Sequence, residues 1–175
     1  LTIGEALTDI VIRKDAPRAE LPGGPPMNVA VALGRLGHTS HLLTHIGDDE
    51  RGRAIVQHVE SSNVSLTPGS VRPGAHTSTA AATIGEGGAA SYDFDITWDP
   101  DPRGLPAKVD AVHTSSIAAT LEPGADTLRT VVASLRESAL ISSDPNARPT
   151  LMGDPAIARE HIGENIALAG PVKAT

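Results

Sequence analysis

The sequence contains no cysteine, which excludes disulfides, a thiolate nucleophile and a Cys-type zinc site. Aromatic side chains are nearly absent, with one Tyr, one Phe and one Trp in 175 residues. A core built on large rings is therefore excluded. Alanine occurs 25 times, so thin aliphatic α/β layers are expected instead. No run of 18 apolar residues occurs, and no spanning helix is expected. No basic segment precedes an apolar stretch at the start, so no secretory leader is expected. Positive charge is in deficit, 14 Lys and Arg against 21 Asp and Glu, for a net charge of −7. That balance argues against nucleic acid and anionic membrane as partners. A cytoplasmic protein is expected. Its length suits one domain, and 39% apolar with 20% charged residues is a globular composition.

What is present alternates between short apolar runs and helical periodicities. Residues 1–3 and 7–12 are apolar, residues 13–20 are charged, and residues 21–26 read as a Pro/Gly break. Residues 27–36 read as a helix with Val29, Leu33 and Leu36 on one face and Met27, Ala30 and Val31 on another; with Arg35 its one charge, it is expected to be buried on most sides, entered through two prolines and stopped by Gly37. Residues 39–46 read as one strand. Asp48, Asp49 and Glu50 then open a helix whose stripe is Ile55, Val56 and Val59, with Asn63 as its stop. Residues 77–84 and 90–96 read as a hairpin turning at Glu86-Gly87-Gly88, with Tyr92, Phe94 and Ile96 on one face.

From Pro100 onward the pattern becomes strand (109–113), helix (Leu128, Val131, Val132, Leu135) and strand (139–143). Asp154-Pro155 opens a last helix, striped by Ala158, Ile162, Ile166 and Ala169. A further strand is expected to start at residues 171–173. This alternation argues for a mainly parallel α/β/α three-layer sheet, interrupted by a small β appendage.

The segment Gly23-Gly24-Pro25-Pro26-Met27-Asn28 offers backbone N–H groups and an amide at a helix entrance. With Val29-Ala30 and Leu33-Gly34-Arg35-Leu36-Gly37, it resembles the first signature of the ribokinase-like carbohydrate kinases. Three other segments resemble that family, fructokinase branch, in order and spacing. They are Gly4-Glu5-Ala6-Leu7-Thr8-Asp9, Ile46-Gly47-Asp48-Asp49-Glu50-Arg51-Gly52 and Ser143-Asp144-Pro145-Asn146-Ala147-Arg148-Pro149. The resemblance covers essentially the whole chain.

It implies an ATP- and Mg2+-dependent kinase that phosphorylates a primary hydroxyl of a sugar such as fructose, on a Rossmann-like body with a β lid. Asp9 would accept sugar hydroxyl bonds, with Gly23, Gly24 and Asn28 lining the same site. Asn146 and Arg148 would face the far end of the substrate or the transferred phosphate. The lid would comprise residues 11–21 and 77–98, with Tyr92, Phe94 or Trp98 covering the sugar or a partner lid, so a lid-to-lid homodimer is expected.

The family's Gly-Ala-Gly-Asp stretch, which carries the general base, has no match here. Gly124-Ala125-Asp126 reads as an ordinary helix start. The resemblance thus places the chain as the amino-terminal part of a single kinase domain. Its base and ATP-binding half are expected beyond Thr175, and no transfer is expected from residues 1–175 alone. Two other readings stay open: a sugar-binding relic if the chain ends at Thr175, and a nucleoside or ketodeoxygluconate kinase. No metal ligand set is read from the histidines or from Asp93, Asp95, Asp99 and Asp101, and no nucleophile elbow, dinucleotide or Walker loop is present.

Overall fold

The computed structural model describes residues 1–85 and 90–172. Its main sheet contains β1 (Thr2–Ile3), β4 (Ser40–Leu43), β6 (Val64–Leu66), β10 (Ala111–Ser115) and β11 (Leu140–Asp144). All pairings are parallel, in the order β11-β10-β1-β4-β6. A second sheet holds β2 (Leu7–Arg13), β3 (Ala16–Gly23), β8 (Thr79–Ile84) and β9 (Ala90–Asp95), in the order β3-β2-β8-β9. Two short strands, β5 (Ile46–Gly47) and β7 (Val71–Arg72), pair with each other. The helices are α1 (Pro25–Arg35), α2 (Glu50–Glu60), α3 (Ser116–Thr120), α4 (Gly124–Leu135) and α5 (Pro155–Leu168).

Strand alternation splits the core into two layers. Leu42 faces one side with Met27, Ala30 and Val31 of α1 and Ile55 and Val59 of α2. Its neighbour Leu43 faces the other side with Ile3, Val112, Ile141 and the α4 residues Leu128, Val131 and Val132. Helices therefore cover both faces of a parallel sheet, as expected for buried parallel strands. A hydroxyl chain ties the layers near the end of β1. The Ala6 N–H donates to Thr44 Oγ1 at 2.9 Å, the Thr44 N–H to Ser70 Oγ at 3.1 Å, and Ser70 Oγ to the Leu42 carbonyl at 3.2 Å.

Several local expectations are corrected. The break expected at residues 21–26 begins only at Gly24, because β3 is an edge strand that tolerates both charge and Pro22. Helix α1 is buried on one face only, the one carrying Met27, Ala30 and Val31, and not on most sides. Pro26, Met27, Ala30, Val31 and Gly34 are buried, while Leu33 is exposed and Leu36 is 74% exposed. Small Ala30 and Gly34 let the helix approach closely; a Cβ on Gly34 would lie 2.2 Å from the Ser62 carbonyl oxygen. The strand expected at 39–46 divides into β4 and β5. Helix α3 was not foreseen.

The stripe of α5 also differs: Ala158 and Asn165 are buried, and Ile166 is exposed. The Asn165 amide donates to Ser143 Oγ at 3.1 Å. Trp98 does not face a ligand or a partner. It is buried, with Nε1 donating to the Ala118 carbonyl at 3.0 Å and Gly124 leaving it room. The hairpin turn at Glu86-Gly87-Gly88 lies outside the described residues. Val172 forms a parallel bridge to Ser143, and residues 173–175 also lie outside them.

Asp49 caps α2 and ties it to the second sheet. It accepts from the Gly52 N–H at 2.8 Å, the Thr77 N–H at 2.8 Å and Thr77 Oγ1 at 2.6 Å. Burial alone would raise its carboxyl, but these bonds outweigh it and hold the group below its ordinary value. Asp49→Ala is expected to lose about 2 kcal/mol of stability, read from denaturant midpoints, because it removes a cap and leaves donors unpaired.

Candidate functional site

The order of the main sheet reverses beside β1: β4 and β6 follow it on one side, and β10 and β11 lie on the other. In open α/β sheets, ligands bind at such a switch point, beyond the carboxyl ends of the strands. A cavity of about 550 Å³ lies there. Glu5 follows β1, Ser115 ends β10 and Ile117 follows in α3; all three line it. The entrance of α1 contributes Gly24, Pro25 and Asn28, and the segment after β11 contributes Asn146, Arg148, Pro149 and Thr150.

The second sheet closes the other side by register. Asp9 lies opposite Leu21 of β3 and Ala80 of β8, and Ala80 lies opposite Phe94 of β9. Two residues along each strand, Val11, Ala82 and Tyr92 form the next row. Leu7, Asp9, Ala80, Tyr92 and Phe94 all line the cavity. The two rings stack with centroids 6.0 Å apart and planes 10° from parallel. The alanines between them and β2 leave that face open.

Of the six residues singled out from the sequence, Asp9, Gly24, Asn28, Asn146 and Arg148 line this one cavity. Gly23 stands behind it, and a Cβ there would lie 2.0 Å from Asp9 Oδ2. Gly24 has φ 112°, and its Cβ would come within 2.5 Å of the Glu5 carbonyl oxygen. Burial raises the Asp9 carboxyl above its ordinary value. Among the described residues, no donor engages the Asp9 carboxylate and the Asn28 side chain has no partner. Arg148 Nη1 donates to Asn146 Oδ1 at 2.6 Å and to the Ala147 carbonyl at 3.2 Å. The cavity thus brings a carboxylate acceptor, an amide and a guanidinium together in its lining.

Sequence reasoning missed Glu5 and Ser115. Glu5 is only 3% exposed. Ser115 Oγ donates to its Oε1 at 3.4 Å, and Oε2 has no partner. Desolvation raises its carboxyl to about 7, against opposing pulls from its own N–H, Ser115, the Arg148 charge and the Ala118 N–H. Its place in the Gly4-Glu5-Ala6-Leu7-Thr8-Asp9 segment, just beyond a short apolar run, was the signal available in the sequence.

A raised native pKa means that the folded chain keeps a proton the unfolded chain has lost. The stability this proton contributes is full below about 4.5 and is lost as pH rises through about 7. Glu5→Gln is therefore expected to match the parent protein near pH 4.5. At pH 8 it should be more stable by about 3 kcal/mol, at ~1.4 kcal/mol per tenfold in acidity. Denaturant unfolding across that pH range checks this; parallel curves would remove the strain assigned to Glu5.

The family model for pfkB family carbohydrate kinases matches residues 2–175. A fructokinase from Klebsiella pneumoniae is 29% identical over 178 residues, covering 98% of this chain and 58% of that protein. An uncharacterized sugar kinase from Pyrococcus horikoshii superposes with a TM-score of 0.85 at 26% identity, over 98% of this chain and 63% of its own. It has also been solved in complex with ATP. A double-mutant fructokinase from Vibrio cholerae O395, solved with fructose, ADP and potassium ion, gives a TM-score of 0.83 at 26% identity, over 98% and 58%. The chain spans about six tenths of the length of these relatives. With a match along nearly its whole length, a parallel sheet of this order and a cavity at its switch point, the chain belongs to the pfkB family of carbohydrate kinases.

Proposed function

We propose that the intact protein is an ATP-dependent sugar kinase that phosphorylates a primary hydroxyl of a carbohydrate such as fructose. One observation carries this reading: Asp9, Asn28 and Arg148 line a single cavity, so that a hydroxyl acceptor, an amide and a cation share it. Asp9 accepts hydrogen bonds from two sugar hydroxyls. Asn28 both donates and accepts, which suits a polyol. Gly23 keeps Asp9 in place, and Gly24 lets the chain cross close to Glu5. The stacked faces of Tyr92 and Phe94 cover the apolar C–H face of the sugar.

Asn146 and Arg148 face the phosphate end, where a guanidinium fork suits an oxyanion. ATP supplies the phosphoryl group. The sequence offers no base matching the family's Gly-Ala-Gly-Asp stretch, and the proposal places that base outside residues 1–175. Magnesium belongs to the same proposal, carried on the ATP phosphates. The chemistry of this portion is therefore positioning and charge placement, the main protein contributions to phosphoryl transfer. The second sheet serves as a lid that excludes water. A cytoplasmic setting and a dimer joined at the lid edge, where Leu21 is exposed, belong to the same proposal.

Asp9→Ala is expected to lower kcat/KM for the sugar at least about 100-fold, while the melting temperature moves little because Asp9 holds no internal hydrogen bond. ADP release across fructose, ribose, ketodeoxygluconate and adenosine is the measurement. Unchanged sugar kinetics would remove Asp9 from the site, and a preference for adenosine would shift the reading to a nucleoside kinase. Gly23→Ala should raise KM for the sugar about tenfold or more, because the new methyl displaces the Asp9 carboxylate. A KM at the parent value in steady-state kinetics would contradict that contact.

A further inference from the structure

The proposed phosphoryl transfer leaves Glu5 without a role. Its carboxyl is buried in the cavity wall, Oε2 has no partner, and its one side-chain donor, Ser115, stands at 3.4 Å. The other ionisable groups around it are few. Asp9 comes from β2, Tyr92 from β9, and Arg148 with Asp144 from the end of β11 and the segment after it. The first turn of α1 and the whole of α3 carry no ionisable side chain. Among the described residues Arg148 is the one cation lining the cavity, and its charge reaches Glu5.

That charge joins the Glu5 N–H and Ser115 in favouring the ionised carboxylate against its burial. An oxyanion seated on Arg148 neutralises the guanidinium and adds negative charge next to Glu5. The carboxylate then takes a proton. By linkage, a proton on Glu5 strengthens the hold on the anion to the same degree.

We propose that the cavity binds an oxyanion at Arg148 together with a proton on Glu5, so that Glu5 sets the pH dependence of phosphate-type ligands and not of neutral sugars. This rests on the kinase reading only in expecting a phosphate group at Arg148. Ser115 supports the ionised state of Glu5, and burial supports its neutral, anion-ready one.

Sulfate is the probe, because it stays dianionic between pH 6 and 8 and adds no titration of its own. Its Kd for the intact protein is measured by calorimetry at both pH values. Binding about fivefold weaker at pH 8 than at pH 6 is expected, the effect of a Glu5 pKa that rises by one unit from about 7 on binding. Glu5→Gln should bind equally at both, close to the parent value at pH 6. Arg148→Ala should lose the binding. Should Glu5→Gln fail to fold, carbon NMR of the parent protein's Glu5 carboxyl, with and without sulfate, reads the same shift directly.

No sulfate binding, a Kd flat with pH, or a slope that survives in Glu5→Gln overturns the proposal. Parallel titrations with a sugar monophosphate and with ATP tell which phosphate source shares the proton uptake. If neither shares it, the extension to phosphate ligands falls. Fructose turnover is measured on the same samples. Turnover absent with the sulfate linkage intact sinks the kinase reading alone; turnover present without the linkage sinks only the role of Glu5.

Discussion

The close crossing of two chain segments at Gly24 governs the rest of the site. Where the connection after β1 meets the entrance of α1, the Gly24 backbone takes φ 112° and leaves no room for a Cβ against the Glu5 carbonyl. That conformation costs a residue with a side chain far more than it costs glycine. Because the two segments touch, Glu5, Asp9 and Asn28 come within one cavity although they stand on a loop, a strand and a helix. The hydroxyl chain from Ala6 through Thr44 and Ser70 to Leu42 holds one of these segments to the main sheet. Pro25 and Pro26 fix the other by presetting the first helical turn.

How much was legible in the sequence depended on what kind of force fixed each feature. Backbone punctuation was readable. The two prolines before α1, the positive-φ Gly37 after it, Asp49 before α2 and Asp154 before α5 all act locally, and the elements begin or end beside them. Choosing the buried face of α1 needed tertiary information. Val29, Leu33 and Leu36 are the larger side chains, but close packing against residues 62–64 selects the face with Ala30 and Gly34. Hydrophobicity favours the large residues, while the distance between layers favours the small ones, and here distance won. Glu5 was invisible for the same reason. Its burial follows from neighbours up to 110 residues away, such as Ser115, and no local pattern records them.

The three aromatics make a similar point. They fall within seven residues of sequence, yet they serve different surfaces. Tyr92 and Phe94 share one face of β9 because they are two residues apart, and that face looks into the cavity. Trp98 lies beyond the end of the strand, where the alternation no longer applies. Its ring enters the α4 side of the core, and its N–H finds the Ala118 carbonyl. Strand parity carried the inference for the first two residues and had nothing to say about the third.

Charge is placed with similar economy. The protein is acidic overall, and among the described residues Glu5 and Asp9 line the cavity with Arg148 as the one cation. A surplus of negative charge repels an anion from most of such a wall. One guanidinium therefore makes its own stretch of wall the place where negative charge costs least. Asp9 is open to donors, because among the described residues no group bonds to its carboxylate. Uncharged donors can meet it without adding charge. Much of the remaining lining is apolar, with Leu7, Ala80, Phe94 and Ile117 in it, and across such a wall charges act on one another more strongly than through water. The signs of a few side chains, brought to one cavity by a glycine that lets two backbones touch, thus set what each part of the wall can hold.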